Sequence, residues 1–371
     1  MMAGAGRRSA AELLAEVRAA AEAAGPAAIM EVCGTHTVAL FRSGLRSVLP
    51  AELRLISGPG CPVCVTSQGY IDAACELAAR RDVTICTYGD MVRVPGRRGS
   101  LERLRAEGAD VLVVYSARDA VRAAGERPGR SVVFLAVGFE TTAPATAAAV
   151  LAADRAGLGN FLVLPAHKRV VPAMEALLAG GGCAIDGFLC PGHVSVVIGA
   201  GAYEPIARRH GRPCVVAGFE PAGMLAGIAA ILRQLAAREA RVENAYGVAV
   251  RQEGNAAALR LIDEVFAPAP ADWRAIGTIP ASGMELRGRY AAYDARRRFG
   301  VELGGNYEPP GCRCGQVIQG LLDPPECALF GGACTPTAPV GPCMVSSEGT
   351  CAAWYKYRRA AGRGGGQARS D

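Results

Sequence analysis

Short apolar runs alternate with alanine-rich stretches over the first two thirds of the chain, and this pattern limits the fold more than any other feature of the sequence. The β-like runs are AAIMEV, LRLIS, VTICTY, ADVLVVYS, SVVFLAVG, NFLVLPA, GFLC, CVVAG and AYGVAV. Helical patterns lie between most of them, as in residues 68–80 and 142–155. Such alternation predicts parallel sheets covered by helices, and nine strands suffice for two small α/β domains. The segments AVGFETTAPATAAAV and VAGFEPAGMLAGIAAI repeat one motif, an apolar strand running into Gly-Phe-Glu and then a small-residue helix, and so suggest two related halves. The expected division is 26–140 for the first α/β domain, 141–267 for the second and 268–371 for a small C-terminal domain. From about Pro268 proline, glycine and cysteine rise and periodicity fades. The last region, grouped with the N-terminal helix 1–25, reads as held together by a cofactor, with a disordered basic tail.

The N-terminal stretch is broken by Glu12, Glu16, Arg18 and Glu22, unlike a secretory signal. It reads as an amphipathic helix with Leu13, Leu14 and Val17 on one face. No apolar run reaches the roughly 20 residues that span a bilayer, so neither membrane insertion nor export is expected and the cytoplasm is the expected compartment. The net charge is +6, but from Lys356 onward five basic residues face one acid, so the body is close to neutral and gives no argument for nucleic-acid binding.

Fourteen cysteines are many for that compartment, where clusters of thiols point to metal or redox chemistry rather than disulfides. Cys75, Cys86, Cys183 and Cys214 sit in apolar contexts and read as core residues. The others occupy glycine- and proline-rich loops. Cys327, Cys334, Cys343 and Cys351 are separated by six, eight and seven residues. Four thiolates at that spacing suit a [4Fe–4S] cluster, with a zinc site or mixed structural and redox thiols as the alternatives. Cys312 and Cys314, in GCRCG, stay unassigned. Cys61 and Cys64, in SGPGCPVCVT, form a CxxC after a strand at a helix start, which suits reversible disulfide chemistry or a soft metal. Cys33 and His36, in EVCGTHT, follow the first strand, where α/β sheets present their binding residues. Further candidates at strand ends are Glu140, Glu220, the His167–Lys168 pair, and His193 with Ser195. Each can equally be a satisfied polar residue at a helix cap. The GxxxxGK[ST] loop and a complete GxGxxG fingerprint are both missing, so no motif indicates nucleotide chemistry.

Taken in order, Cys33-Gly-Thr-His36, GPGCPVC (58–64), GFETTAP (138–144), PGHVS (191–195) and the terminal run FGGACTPTAPVGPCMVSSEGTC resemble the signatures of the HypD family of hydrogenase maturation factors. The resemblance extends from about Met30 to Tyr357. It implies two Rossmann-like α/β domains plus a small iron–sulfur domain. It also implies a [4Fe–4S] cluster on the four C-terminal cysteines and an iron ligand at Cys33. Cys61 and Cys64 become a redox thiol pair, with Cys64 a candidate to touch the iron. His36, Glu140, His193 and Glu220 complete the expected site. The implied role is a redox-active assembly scaffold rather than a conventional turnover enzyme. On it, with a HypC-type chaperone and cyanide from a HypE-type donor, the Fe(CN)2CO unit of [NiFe] hydrogenase is built and passed indirectly to the large subunit. The same cysteines admit a stand-alone iron–sulfur thiol–disulfide reductase as the alternative, and a zinc-dependent interaction module after it.

Overall fold

The computed structural model describes residues 8–363, other than Arg98, Cys183 and Asn306. Cys183, expected in the core, therefore lies outside the described residues, as does the tail after Arg363. The chain is α/β, as its alternation requires. Nine short strands build two parallel sheets: β1 (Ala27–Glu31), β2 (Leu53–Ser57), β3 (Val83–Thr87), β4 (Val111–Val113), β5 (Ser131–Gly138), β6 (Phe161–His167), β7 (Gly187–Pro191), β8 (Cys214–Ala217) and β9 (Val242–Asn244). Two longer strands, β10 (Phe266–Trp273) and β11 (Gly277–Leu286), form an antiparallel hairpin.

The first sheet has the order β2-β1-β7-β8-β9 and the second β4-β3-β5-β6. Each begins with the same out-and-back arrangement, so each has a switch point where neighbouring strands depart in opposite directions, β1/β7 in one and β3/β5 in the other. Loops at the carboxyl ends of such strands leave a crevice.

This order corrects the contiguous division at residue 140. Strands β1 and β2 pair in register with each other, and β1 then pairs with β7, more than 150 residues away in sequence. The second sheet is an insertion between the two parts of the first. The Gly-Phe-Glu repeat nevertheless marks related positions, since one copy ends β5 in the second sheet and the other follows β8 in the first.

Helix Ala10–Ala24 starts at a capping box between Ser9 and Glu12. It buries Leu13 and Val17 in one cluster with Leu189, Val215, Ile228 and Leu232. It therefore packs on helix Pro221–Ala236 over the first sheet, and its expected grouping with the C-terminal region is corrected: its apolar face is matched by the apolar residues of that helix. Leu14, expected on the same face, is only half-buried.

Two further local readings change. AYGVAV is a turn, closed by Val250 N–H to the Tyr246 carbonyl at 3.0 Å, and the ninth strand lies just before it. The hairpin carries Pro268 and Pro270 in β10, which removes the alternation that announces a strand; a two-stranded hairpin tolerates them because an edge needs fewer N–H donors. The C-terminal segment packs on the main core. Cys314, Val317, Ile318, Cys343 and Val345 are buried, and of these Cys314, Ile318, Cys343 and Val345 belong to the main core cluster. Helix Thr350–Arg363 continues into the stretch expected to be disordered and seats Trp354 edge-on against Phe41, ring centroids 5.2 Å apart. Among the described residues no helix is long and apolar enough to cross a membrane.

Candidate functional site: a line of thiols at the edge of the first sheet

Strand β1 delivers Cys33 to the start of helix Gly34–Arg42, at the β1/β7 switch point. Strand β2 delivers the GPGC loop beside it, and the two loops are clipped together. Gly34 N–H donates to the Gly60 carbonyl (3.1 Å), and Gly58 N–H to the Glu31 carbonyl (2.9 Å). The approach is so close that a Cβ on Gly60 would lie 2.3 Å from the Cys33 nitrogen. Only glycine permits that spacing. Cys33 is buried, and burial pushes its thiol up to about 11, opposed by the His36 backbone N–H and reinforced by the Glu348 charge.

Cys61 caps the short helix Pro62–Val65. Its sulfur accepts the Cys64 N–H at 3.3 Å and lies 2.6 Å from the Cys64 sulfur, longer than a disulfide bond. Burial raises Cys64 well above the ordinary thiol range, opposed by its contact with Cys343. Cys343 in turn lies 2.7 Å from Cys314, sulfur to sulfur. Two sulfur contacts, Cys61 with Cys64 and Cys343 with Cys314, thus lie in one line, with Cys64 reaching the Pro342 carbonyl beside Cys343 at 3.9 Å.

That line ends at a small cavity walled by Cys312, Cys314, Cys327, Cys334, Cys343 and Cys351 together with Val317, Leu329, Phe330 and Met344. All four cysteines expected to hold a cluster are there. Cys312 and Cys314, left unassigned by spacing, join them. Cys334 accepts the Val340 N–H at 3.4 Å, and a Cβ on Gly341 would meet the Cys312 sulfur at 2.6 Å. Six soft donors, apolar walls and close backbone N–H groups are the surroundings that an iron–sulfur cluster takes. Among the described residues no three His, Cys, Asp or Glu side chains are set to bind one metal ion. The thiols face a cavity instead of a point.

His36 is fully buried. Its Nε2 lies 3.0 Å from the Gly218 carbonyl and 3.2 Å from that of Ala217, so it donates there and leaves Nδ1 buried without a partner. Burial lowers its pKa, which keeps the ring neutral. The His36 ring rests 4.8 Å from Phe219, and His193 lies 4.1 Å from the same ring. The CGTH, PGHVS and second Gly-Phe-Glu motifs therefore meet around one phenyl ring, while Glu220 faces solvent at the start of helix Pro221–Ala236. Ser195 donates to the Pro191 carbonyl at 2.7 Å and has a packing role.

Glu140 does not join this group. It follows β5 of the second sheet, where one carboxylate oxygen accepts the Val170 N–H at 3.0 Å and the other is buried without a partner. It lines a different cavity, with Arg169, Pro205 and Ile262. Its expected place beside Cys33 is corrected by the sheet order, which puts the two Gly-Phe-Glu motifs on separate sheets. His167, buried and hydrogen-bonded to Thr146 at 2.8 Å, is a core residue held neutral by desolvation, which pulls it down to about 3.

Sequence reasoning missed Glu348. Its Oε1 accepts the Thr35 hydroxyl at 2.8 Å, and its backbone fills the place where a Cβ on Gly34 would go. It thereby locks the C-terminal segment onto the Cys33 loop. Its signal lies in the terminal run SSEGTC, where the neighbouring cysteines dominate the pattern.

The fold and the site define a class: a protein of two parallel α/β sheets with a buried line of thiols running from a sheet edge to a six-cysteine cavity. A family model described as "Hydrogenase formation hypA family", with the short name HypD, matches residues 8–358. The chain is 46% identical over 355 residues to "Hydrogenase maturation factor HypD" of Azotobacter vinelandii, covering 94% of each chain. It is 45% identical over 335 residues to the protein of that name from Escherichia coli (strain K12), covering 90% of each. The chain belongs to the HypD family of hydrogenase maturation factors.

Proposed function

We propose that this chain is a scaffold on which the Fe(CN)2CO unit of [NiFe] hydrogenase is assembled, together with a HypC-type chaperone and a HypE-type cyanide donor. The observation that carries the reading is the convergence, on one sheet edge, of Cys33, the Cys61/Cys64 pair and the six-cysteine cavity, in a chain of this family. Cys33 anchors the iron under assembly, because a soft thiolate suits the low-spin ferrous ion that cyanide favours. Its burial keeps the free thiol protonated until iron displaces the proton. The fixed, neutral His36 leaves Nδ1 as an acceptor in the same loop.

A [4Fe–4S] cluster fits the thiol cavity, held by Cys327, Cys334, Cys343 and Cys351, with Cys314 the alternative to Cys343. Such a group supplies one-electron redox chemistry. The chain's own contribution is the line of thiols, in which Cys343 lines the cavity and follows Pro342, whose carbonyl lies 3.9 Å from the Cys64 sulfur, so that the CxxC pair stands next to the cluster ligands. The decisive experiment is infrared spectroscopy of the anaerobically purified chain co-expressed with its HypC partner. Sharp cyanide and carbonyl bands that vanish in Cys33→Ala support the reading, and bands that persist in Cys33→Ala overturn the role of Cys33. The contact of Cys61 with Cys64 favours a second reading, a stand-alone thiol–disulfide reductase, which predicts no such bands and a CxxC pair that cycles.

A further inference from the structure

Among the 40 basic residues of the chain only Lys168 and Lys356 are lysines; every other is arginine. Lys356 is exposed on the C-terminal helix. Lys168 is the opposite case, only 4% exposed at the end of β6. A chain that carries nearly all its positive charge on arginine has one of its two lysines at a buried position. The property arginine cannot supply there is a neutral amine, since a guanidinium does not lose its proton in proteins.

The surroundings of Lys168 suit that property. Its Nζ donates to the Asp272 backbone carbonyl at 2.8 Å and stands 5.5 Å from the centre of the Trp273 ring. Among the described residues no carboxylate oxygen lies within ion-pair distance. Burial draws the amine down to about 8, with the Asp272 charge opposing. Lys168 also forms part of the wall of a cavity of about 160 Å³ between the second sheet and the β10–β11 hairpin, separate from the thiol line. Thr66, Ser67, Tyr70 and Thr278 supply its other hydroxyls. The Thr66 and Thr278 hydroxyls donate to the Pro62 carbonyl and to Asp272, which leaves their lone pairs able to accept a hydrogen bond. Arg296, also on the wall, is committed to Asp294 and Glu285.

The geometry points to Lys168 as a nucleophilic amine that captures a short aldehyde in this cavity as a reversible imine. The Nζ lone pair adds to the carbonyl carbon to form a C–N bond and a carbinolamine whose hydroxyl faces the threonine oxygens. Loss of that oxygen as water leaves the imine, both protons of the water coming from the amine nitrogen, one on forming the carbinolamine and one on its dehydration, relayed through solvent. Amine plus aldehyde gives imine plus water, with no oxidant or reductant. An acyl donor with an anionic leaving group fits less well, because the one cation on the wall besides the lysine is already paired.

Two lysines in one chain give the test an internal reference. The full-length protein is incubated at pH 7.5 with propanal and cyanoborohydride, and propylation of each lysine is followed by peptide mass spectrometry. Lys168 is expected to react at least about tenfold faster than Lys356, with a rate that climbs between pH 7 and 9, and urea unfolding is expected to bring the two rates together. A Lys168 that reacts no faster than Lys356 overturns the proposal and leaves this residue as a tie between the hairpin and the second sheet.

Discussion

At the scale of single residues, two of the buried polar groups without partners among the described residues lie in different sites. His36 Nδ1 lies in the Cys33 loop, whereas the unpartnered oxygen of Glu140 lies on the other sheet. Burial pushes Glu140 up to about 7 from 4.5, so the folded protein binds a proton there that the unfolded chain has released. The stability linked to this group is present below about pH 4.5 and is lost as pH rises through 7, a change on the order of 3 kcal/mol. Glu140→Gln keeps an acceptor for Val170 and removes the charge. Urea unfolding of the two proteins at pH 5.5 and 8 should show the variant gaining at the higher pH, and equal pH dependence in both would disprove the assignment. The motifs around Cys33 were legible from the sequence because each sits where a strand ends. Which carboxylates share that site was not, since two identical Gly-Phe-Glu motifs look alike until the sheets are known. Cys314 escaped assignment for a related reason: its partner Cys343 is 29 positions away, and spacing alone does not show which thiols converge.

At the scale of elements, the close approach of the β1 and β2 loops sets the site. A methyl group at Gly60 meets the backbone of Cys33, which cannot move as a flexible side chain would. Gly60→Ala should cost on the order of 3 kcal/mol and loosen the Cys33 loop. Loss of thermal stability together with faster alkylation of Cys33 by iodoacetamide would show both effects, and unchanged values would refute them. Helix Gly34–Arg42 is held from the other side by the C-terminal helix, where Arg46 stacks 4.7 Å from Phe41 and 5.7 Å from Trp354 while its guanidinium bonds Glu31 at 2.6 Å. Trp354→Ala should cost roughly 3 kcal/mol and weaken the Thr35–Glu348 contact. Hydrogen exchange of residues 34–42 should quicken in that variant, while exchange in the second sheet should stay as it was. Eight of the nine expected strands could be read from their apolar runs. The hairpin could not, because Pro268 and Pro270 hide its alternation, and the ninth strand was set a few residues late because Tyr246 to Val250 is as apolar as a strand while folding as a turn.

At the scale of the whole molecule, the thiol line makes a compositional prediction. Protein purified without oxygen should contain close to four iron and four sulfide per chain. Joint replacement of Cys327, Cys334 and Cys351 by serine should abolish both, whereas Cys312→Ser should leave them in place. Zinc in place of iron, measured by plasma emission spectrometry, would end the cluster reading. The division into sheets was the least legible property at this scale. Parallel pairing between β1 and β7 depends on contacts across more than 150 residues, and no local pattern encodes which strand a given strand will join.

That long-range pairing fixes an order of events during synthesis. The second sheet is contiguous, 83–167, and can close while the ribosome is still at work on the middle of the message. Strands β1 and β2 emerge earlier but must wait for β7 and β8 before their sheet exists. Cys33, Cys61 and Cys64 are among the first thiols to leave the exit tunnel, and the segment bearing Cys343 and Glu348, which covers them, is among the last. These thiols are thus born early and buried late, and throughout that interval the surrounding medium, rather than the fold, sets their exposure to oxidants and metal ions.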